Sequence, residues 1–131
     1  MIVCCIRGFR SDRGRKEINE WYKQQDFAVK AKFDVRVKYL SQRKQSEWEM
    51  PYFRILHGAC KDLGEIRFFC NKVQHRAIGF FSASAEFIIL LFAVEKGGKL
   101  EPRSCCDTAQ ERKQQVLRHR ERYSHEWEID T

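Results

Sequence analysis

Three apolar, aromatic-rich runs follow one another closely in the second half of the chain, at residues 63–70, 73–81 and 86–94. Each has the length of a strand and is bounded by a short polar segment. Asn71 and Lys72 form a two-residue connection, and asparagine tolerates the positive φ that such a hairpin turn requires. The runs therefore predict an antiparallel meander, which needs a helix to cover its apolar face.

Other elements are predicted around this meander. Residues 1–6 are a short apolar run that predicts a strand. Residues 17–25 carry apolar side chains at three- and four-residue spacing, which predicts a helix. Residues 107–123 have thinly spaced apolar positions among charges, which predicts a helix with a narrow buried stripe.

The segment at residues 26–42 fits two secondary structures. Apolar and charged residues alternate strictly over residues 29–39, which is the period of a strand. The segment also lacks glycine and proline, is long for a strand, and has Asp26 in the position of a helix N-cap. A helical stripe would consist of Ala28, Ala31, Val35 and Tyr39. The local pattern leaves helix and strand about equally favoured.

Size and charge limit the class of protein. The chain has 131 residues, which suits one domain over residues 1–131. Its 25 Lys and Arg against 18 Asp and Glu give a net charge of +7, which suits a polyanion such as nucleic acid. The longest apolar stretch has eight residues, against about 20 for a membrane helix, and no signal-peptide pattern is present. We therefore expect a cytoplasmic protein without a membrane partner.

The cysteine spacing favours neither a disulfide nor a metal site. Four of the six cysteines lie in adjacent pairs, and none belongs to a C-x-x-C motif, which would turn two sulfurs toward one ion. The cysteines are Cys4, Cys5, Cys60, Cys70, Cys105 and Cys106. We expect buried, reduced thiols, no metal and no cofactor.

Several motifs resemble those of RelE/HigB-type toxins, particularly the phage-derived branch. Residues 56–68 (LHGACKDLGEIRF) are similar to the beginning of that family's sheet, and residues 75–81 (HRAIGFF) to its Y-R-x-x-Y/F-F strand. Residues 88–96 resemble its apolar strand ending in a lysine, and residues 112–123 its A-x-x-R-x-x-x-Y ending. The order and spacing of these motifs carry the resemblance, which spans residues 17–123.

The resemblance implies a fold and an activity. The family fold is α+β: a small antiparallel sheet of about four strands, an N-terminal helix pair and a C-terminal helix. This favours a helix at residues 26–42. Members are toxins of type II toxin-antitoxin systems that cleave mRNA on the ribosome without a metal. In the HigB-like branch the partner antitoxin usually has a helix-turn-helix domain.

The implied chemistry is attack of a ribose 2′-OH on the adjacent phosphate, so cations must neutralise the phosphate and a base and an acid must move protons. By resemblance the basic catalytic positions are Arg67, Arg76 and Lys96, and His75 is the neighbouring titratable side chain. Residues expected to bind RNA phosphates are Lys61, Lys72, Lys99 and Arg103.

The chain also departs from the family pattern. Phe69 stands where the best-studied branch has a second lysine, and no tyrosine lies early in the C-terminal helix. The general base is therefore unassigned, and His75 and Glu65 are the titratable candidates in the strands.

The predicted hairpin register bears on the two arginines. Pairing Cys70 with Val73 across the turn puts Arg67 directly opposite Arg76, with His75 on the other face. Like charges opposite each other destabilise a sheet, so we expect an anion between the arginines and infer a phosphate clamp.

Two other functions stay open. One is a ParE-like gyrase inhibitor without nuclease chemistry, and the other is a non-catalytic, phage-derived RNA-binding module. Basic residues at positions 67, 76 and 96 favour the endoribonuclease. The missing second lysine is the reason that the two alternatives stay open.

Overall fold

The computed structural model describes residues 1–83 and 85–128. The helices are α1 (Glu17–Lys23), α2 (Phe27–Ser41), α3 (Cys105–Arg118) and α4 (Arg120–Tyr123). The strands are β1 (Cys5–Phe9), β2 (Phe53–Ile55), β3 (Gly64–Cys70), β4 (Val73–Ala83), β5 (Glu86–Lys96), β6 (Lys99–Glu101) and β7 (Ser124–Glu126). Short 3₁₀ turns lie at Gln45–Glu47 and Gly58–Cys60.

The predicted four-stranded antiparallel sheet with a C-terminal helix is wrong. In the described residues seven strands form one mixed sheet, in the order β2-β3-β4-β5-β1-β7, and β6 also pairs with β5. The β3-β4-β5 meander is antiparallel as predicted, but β1 pairs with β5 in parallel. After α3 and α4 the chain adds β7 to the outer side of β1. Three of the strands have only three residues, too few for periodicity to predict them.

The helical alternative at residues 26–42 is confirmed by α2. Asp26 is its N-cap, and a carboxylate oxygen of Asp26 accepts a hydrogen bond from the Val29 amide at 2.9 Å. The expected stripe is wrong, because Ala28 and Val35 are exposed. The buried stripe consists of Val29, Phe33, Val37 and Leu40.

The sheet has two covered faces. The α2 face packs against α1 and α2, and the buried residues there include Ile66, Phe68 and Ala77. The α3 face packs against α3, and its buried residues include Ile78 and Leu91. Because side chains alternate along a strand, odd-numbered residues of β3 and even-numbered residues at the start of β4 lie on the α3 face.

The prediction that all cysteines are reduced is wrong for one pair. Cys60, in the turn before β3, and Cys106, in the first turn of α3, form a disulfide with a Cα–Cα distance of 4.9 Å. The bridge ties α3 to the segment that enters β3. The two residues are 46 positions apart, so the topology that brings them together was not visible in their local spacing.

None of the helices in the described residues combines the length and the apolar character that crossing a bilayer requires.

A bulge interrupts the β4–β5 ladder between Ile78 and Gly79. A Cβ built on Gly79 would overlap the carbonyl oxygen of Ile88 and lie 2.9 Å from the Phe87 ring. Glycine therefore permits the close approach of β4 to β5 in the centre of the sheet.

Gly79→Ala is expected to destabilise the fold by about 3 kcal/mol, because both obstructing groups are buried and cannot move freely. Gly14→Ala is the control: nothing lies within 4 Å of its Cβ, and its φ of +79° alone predicts a loss of about 1–2 kcal/mol. Urea unfolding measures both values. Equal losses of stability would show that the close approach of β4 to β5 does not require glycine at position 79.

Candidate functional site

The predicted register of the β3–β4 hairpin is confirmed. Cys70 pairs with Val73 and Arg67 with Arg76, and the turn residues Asn71 and Lys72 have φ of 53° and 64°. Positive φ at both central residues is the geometry of a tight two-residue hairpin turn.

The carboxylate of Glu65, a group of the chain itself, lies between the two arginines, where a phosphate was expected. Its oxygens accept two hydrogen bonds of 2.6 Å from Nη1 of Arg76, and Arg67 Nη1 lies 3.6 Å from Oε2. Arg54, on β2, donates to Oε1 from Nη2 at 2.9 Å. Glu65 is fully buried, so three guanidinium groups surround one carboxylate that water does not reach.

A second carboxylate extends this arrangement to β5. Arg76 Nη2 donates to Oε1 of Glu95, and the Glu95 side chain is 40% exposed. We call the five side chains from four neighbouring strands the arginine cluster: Arg54, Glu65, Arg67, Arg76 and Glu95. Three guanidinium groups against two carboxylates leave one positive charge in excess.

Arg67 is the cation in this cluster that is least well paired. Its Nη1 is buried and donates no hydrogen bond within the described residues, and its ion pair with Glu65 is long. Burial, followed by the like charge of Arg76, lowers the pKa of Arg67. The positive charge of Arg67 is therefore only partly neutralised by the chain itself.

Along β3, the side chains on the α3 face become more exposed toward the hairpin turn. Glu65 is buried near Cys105, in the first turn of α3. Burial is the main effect on the pKa of the Cys105 thiol and raises it, whereas the charges of Glu65 and Arg76 shift this pKa in opposite directions. Arg67 is 15% exposed, and Phe69, the next residue of β3 on the same face, is 58% exposed. A ligand can therefore approach the cluster from the turn end of the α3 face.

His75 does not belong to the cluster. It lies on the α2 face, as the register predicts, where its ring stacks on Phe68 with a centroid distance of 5.1 Å and meets the edge of Trp21. Burial lowers the pKa of His75, and the charge of Asp26 opposes this effect. Its Nδ1 donates or accepts no hydrogen bond within the described residues.

The remaining predicted residues are exposed and lie outside the arginine cluster. Lys96 and Lys99 pair across the β5–β6 hairpin, and both are exposed. The alternation along β5 puts Lys96 on the α2 face, opposite to Arg76, so the structure does not bring these two side chains together. Lys61, Lys72 and Arg103 are exposed in the segments that precede β3, join β3 to β4 and precede α3.

Arg54 and Glu95 were missed from the sequence. Arg54 lies in the three-residue β2, which is too short to show a strand period. Glu95 ends an apolar run, and its position opposite Gln74 depends on the bulge between Ile78 and Gly79. The alternation of side chains along β5 places Glu95 on the same face as Ala93, and this was the sequence signal for the position of Glu95.

A separate groove of about 500 Å³ lies between the loop after β1 and α3. Its charged lining residues balance in sign: Asp12, Arg13, Arg15, Glu17, Glu111 and Arg112. Arg112 donates a 2.8 Å hydrogen bond to the Leu90 carbonyl, at the bulge of β5. This groove offers no excess charge for an anion, in contrast to the arginine cluster.

Comparison of the chain with family models, with curated proteins and with solved structures found no match. The resemblance to RelE/HigB-type toxins therefore stays a prediction. Within residues 1–83 and 85–128, no group of three or more His, Cys, Asp and Glu side chains is placed to hold a metal ion.

Folding stability is expected to fall as the pH is lowered from 7.5 to 5.5. Burial lowers the pKa of both His75 and His125 in the folded chain, whereas the unfolded histidines titrate near pH 6.5 and take up protons first. Each histidine contributes a slope of at most about 1.4 kcal/mol per pH unit, between its unfolded and its folded pKa.

His75→Phe, which keeps an aromatic ring against Phe68, is expected to reduce the pH dependence of stability, and the part that remains comes from His125. Urea unfolding at pH 7.5 and pH 5.5 measures the free energy of unfolding. His119→Gln, at an exposed position, is the control and should keep the pH dependence of the parent. An unchanged pH dependence in His75→Phe would contradict the assignment.

Proposed function

We propose that this chain is a metal-independent endoribonuclease whose site is the exposed end of the arginine cluster. The observation that carries the proposal is Arg67, whose side chain is 15% exposed and only loosely paired with Glu65, beside a second arginine and two carboxylates. The net charge of +7 suits an RNA substrate.

The cluster contains the cations and one candidate base that 2′-OH attack requires, and water would protonate the departing 5′-oxygen. Arg67 and Arg76 are placed to neutralise the charge that develops on the phosphate. Glu95 is the best candidate for the general base, because it is half exposed and Arg76 holds its carboxylate. Glu65 is fully buried, so its role is to position Arg54, Arg67 and Arg76.

We further propose, on the RelE/HigB resemblance, that the substrate is mRNA on the ribosome and that the chain is the toxin of a type II pair. A helix-turn-helix antitoxin would then be its partner, and the cytoplasm its compartment. The Cys60–Cys106 disulfide counts against this compartment, since disulfides are rare in cytoplasmic proteins.

One observation favours a second function, non-catalytic RNA binding. Arg76 already bonds to two carboxylates of the chain itself, and its side chain is only 4% exposed. A site whose central arginine is already paired with internal carboxylates can attract RNA through its remaining positive charge without stabilising a reacting phosphate.

The test is cleavage of a defined mRNA, free and on programmed ribosomes, with detection of the 2′,3′-cyclic phosphate ends. Arg67→Ala and Glu95→Gln are each expected to lower the cleavage rate by about 100-fold or more. Arg118→Ala, at the exposed end of α3, is the matched control and should cleave like the parent. Arg67→Ala and Glu95→Gln should also relieve growth arrest on expression, whereas Arg118→Ala should not.

Circular dichroism and thermal unfolding establish that each variant is folded. If the parent chain binds RNA but leaves it intact, the second function holds. If Arg67→Ala and Glu95→Gln both cleave at the parent rate, the arginine cluster is not the site.

A further inference from the structure

We propose that Phe69 is a stacking platform for one unpaired RNA base, next to the phosphate held by Arg67; the inference rests on the proposed RNA-binding function of the arginine cluster. Phe69 and its neighbour Phe68 have opposite environments in the same strand. Phe68 is 1% exposed in the core, whereas Phe69 is 58% exposed on the α3 face.

A row of side chains crosses the sheet at the level of Phe69. Phe69 pairs with Gln74, Gln74 with Glu95, and Glu95 with Leu100, all on the α3 face. Gln74 offers its amide oxygen beside the ring, because its Nε2 donates to the His75 carbonyl, and such an acceptor hydrogen-bonds to base edges. The row therefore combines one aromatic surface with polar partners, which is the composition of a base-binding site.

The spacing to Arg67 fits a single nucleotide. Residues two apart on one face of a strand are separated by about 7 Å. A phosphate on the exposed part of the Arg67 side chain, which is 15% exposed, would place the attached base beside Phe69. Lys72, exposed in the turn that follows, lies where the backbone of the next nucleotide would continue.

The surroundings of Phe69 favour RNA over a protein partner. An apolar docking surface would group several exposed apolar side chains, but Phe69 is flanked by Arg67, Gln74 and Lys72. Proteins that bind single strands combine positive charge with aromatic rings on which bases stack, because every base has a flat face. Only an unpaired base can reach such a ring, so single-stranded RNA is the expected ligand.

The experiment measures binding with a 12-nucleotide RNA that is 2′-O-methylated throughout, so that it cannot be cleaved. A second RNA of equal length has abasic sites at the central positions. Phe69→Ala is expected to bind the complete RNA roughly 5- to 150-fold more weakly than the parent. The affinity for the abasic RNA should be nearly the same for both proteins.

Further variants separate stacking from apolar contact. Phe69→Leu should lose affinity like Phe69→Ala, and Phe69→Trp should keep it and show fluorescence quenching on binding, above the signal of the parent. Ile55→Ala, an equally exposed apolar residue on a neighbouring strand, is the matched control and should bind normally.

The inference is overturned if Phe69→Ala binds the complete RNA like the parent, or if it loses the same affinity for both RNAs. It is also overturned if Phe69→Ala keeps RNA binding and instead loses a protein partner. Because the probe cannot be cleaved, a parent chain that binds in this pattern but shows no nuclease activity would refute the catalytic proposal alone.

Discussion

The buried carboxylate of Glu65 is the constraint on which the α3 face depends. A charge without water is tolerated only when partners satisfy it, and Glu65 obtains them from β2, β4 and its own strand. Two arginines directly opposite each other would otherwise destabilise the β3–β4 hairpin. The same carboxylate thus permits the arginine pair and fixes the position of each guanidinium.

Coverage of the sheet divides this face into a structural and an open part. Around Ile78 and Leu91 the face is apolar and lies under α3, which the Cys60–Cys106 disulfide holds against the segment entering β3. Toward the hairpin turn the helix no longer covers the strands, and Arg67 and Phe69 are progressively exposed. The site that we propose for an anion and a base lies in this open part of the face.

The sequence predicted the parts of the fold that depend on local chemistry. The hairpin at Asn71-Lys72 and the Asp26 cap need only neighbouring residues, so the register of Arg67 against Arg76 was predictable. The parallel pairing of β1 with β5 and the disulfide depend on contacts between distant residues, which no local period encodes. The arginine cluster was predicted only in part. Arg54 lies in β2, which is too short to show a period, and a bulge determines which residue of β4 lies opposite Glu95.

The most direct test of the account is a double-mutant cycle on Glu65 and Arg76, measured as the free energy of unfolding in urea. Glu65→Leu and Arg76→Met should each destabilise the chain by about 3–5 kcal/mol, because each takes away the closest partner of a buried charge. The double variant removes both charges, so its loss should be smaller than the sum by about 2 kcal/mol or more. Losses that add to within about 0.5 kcal/mol would contradict the account, since the two groups would then not depend on each other.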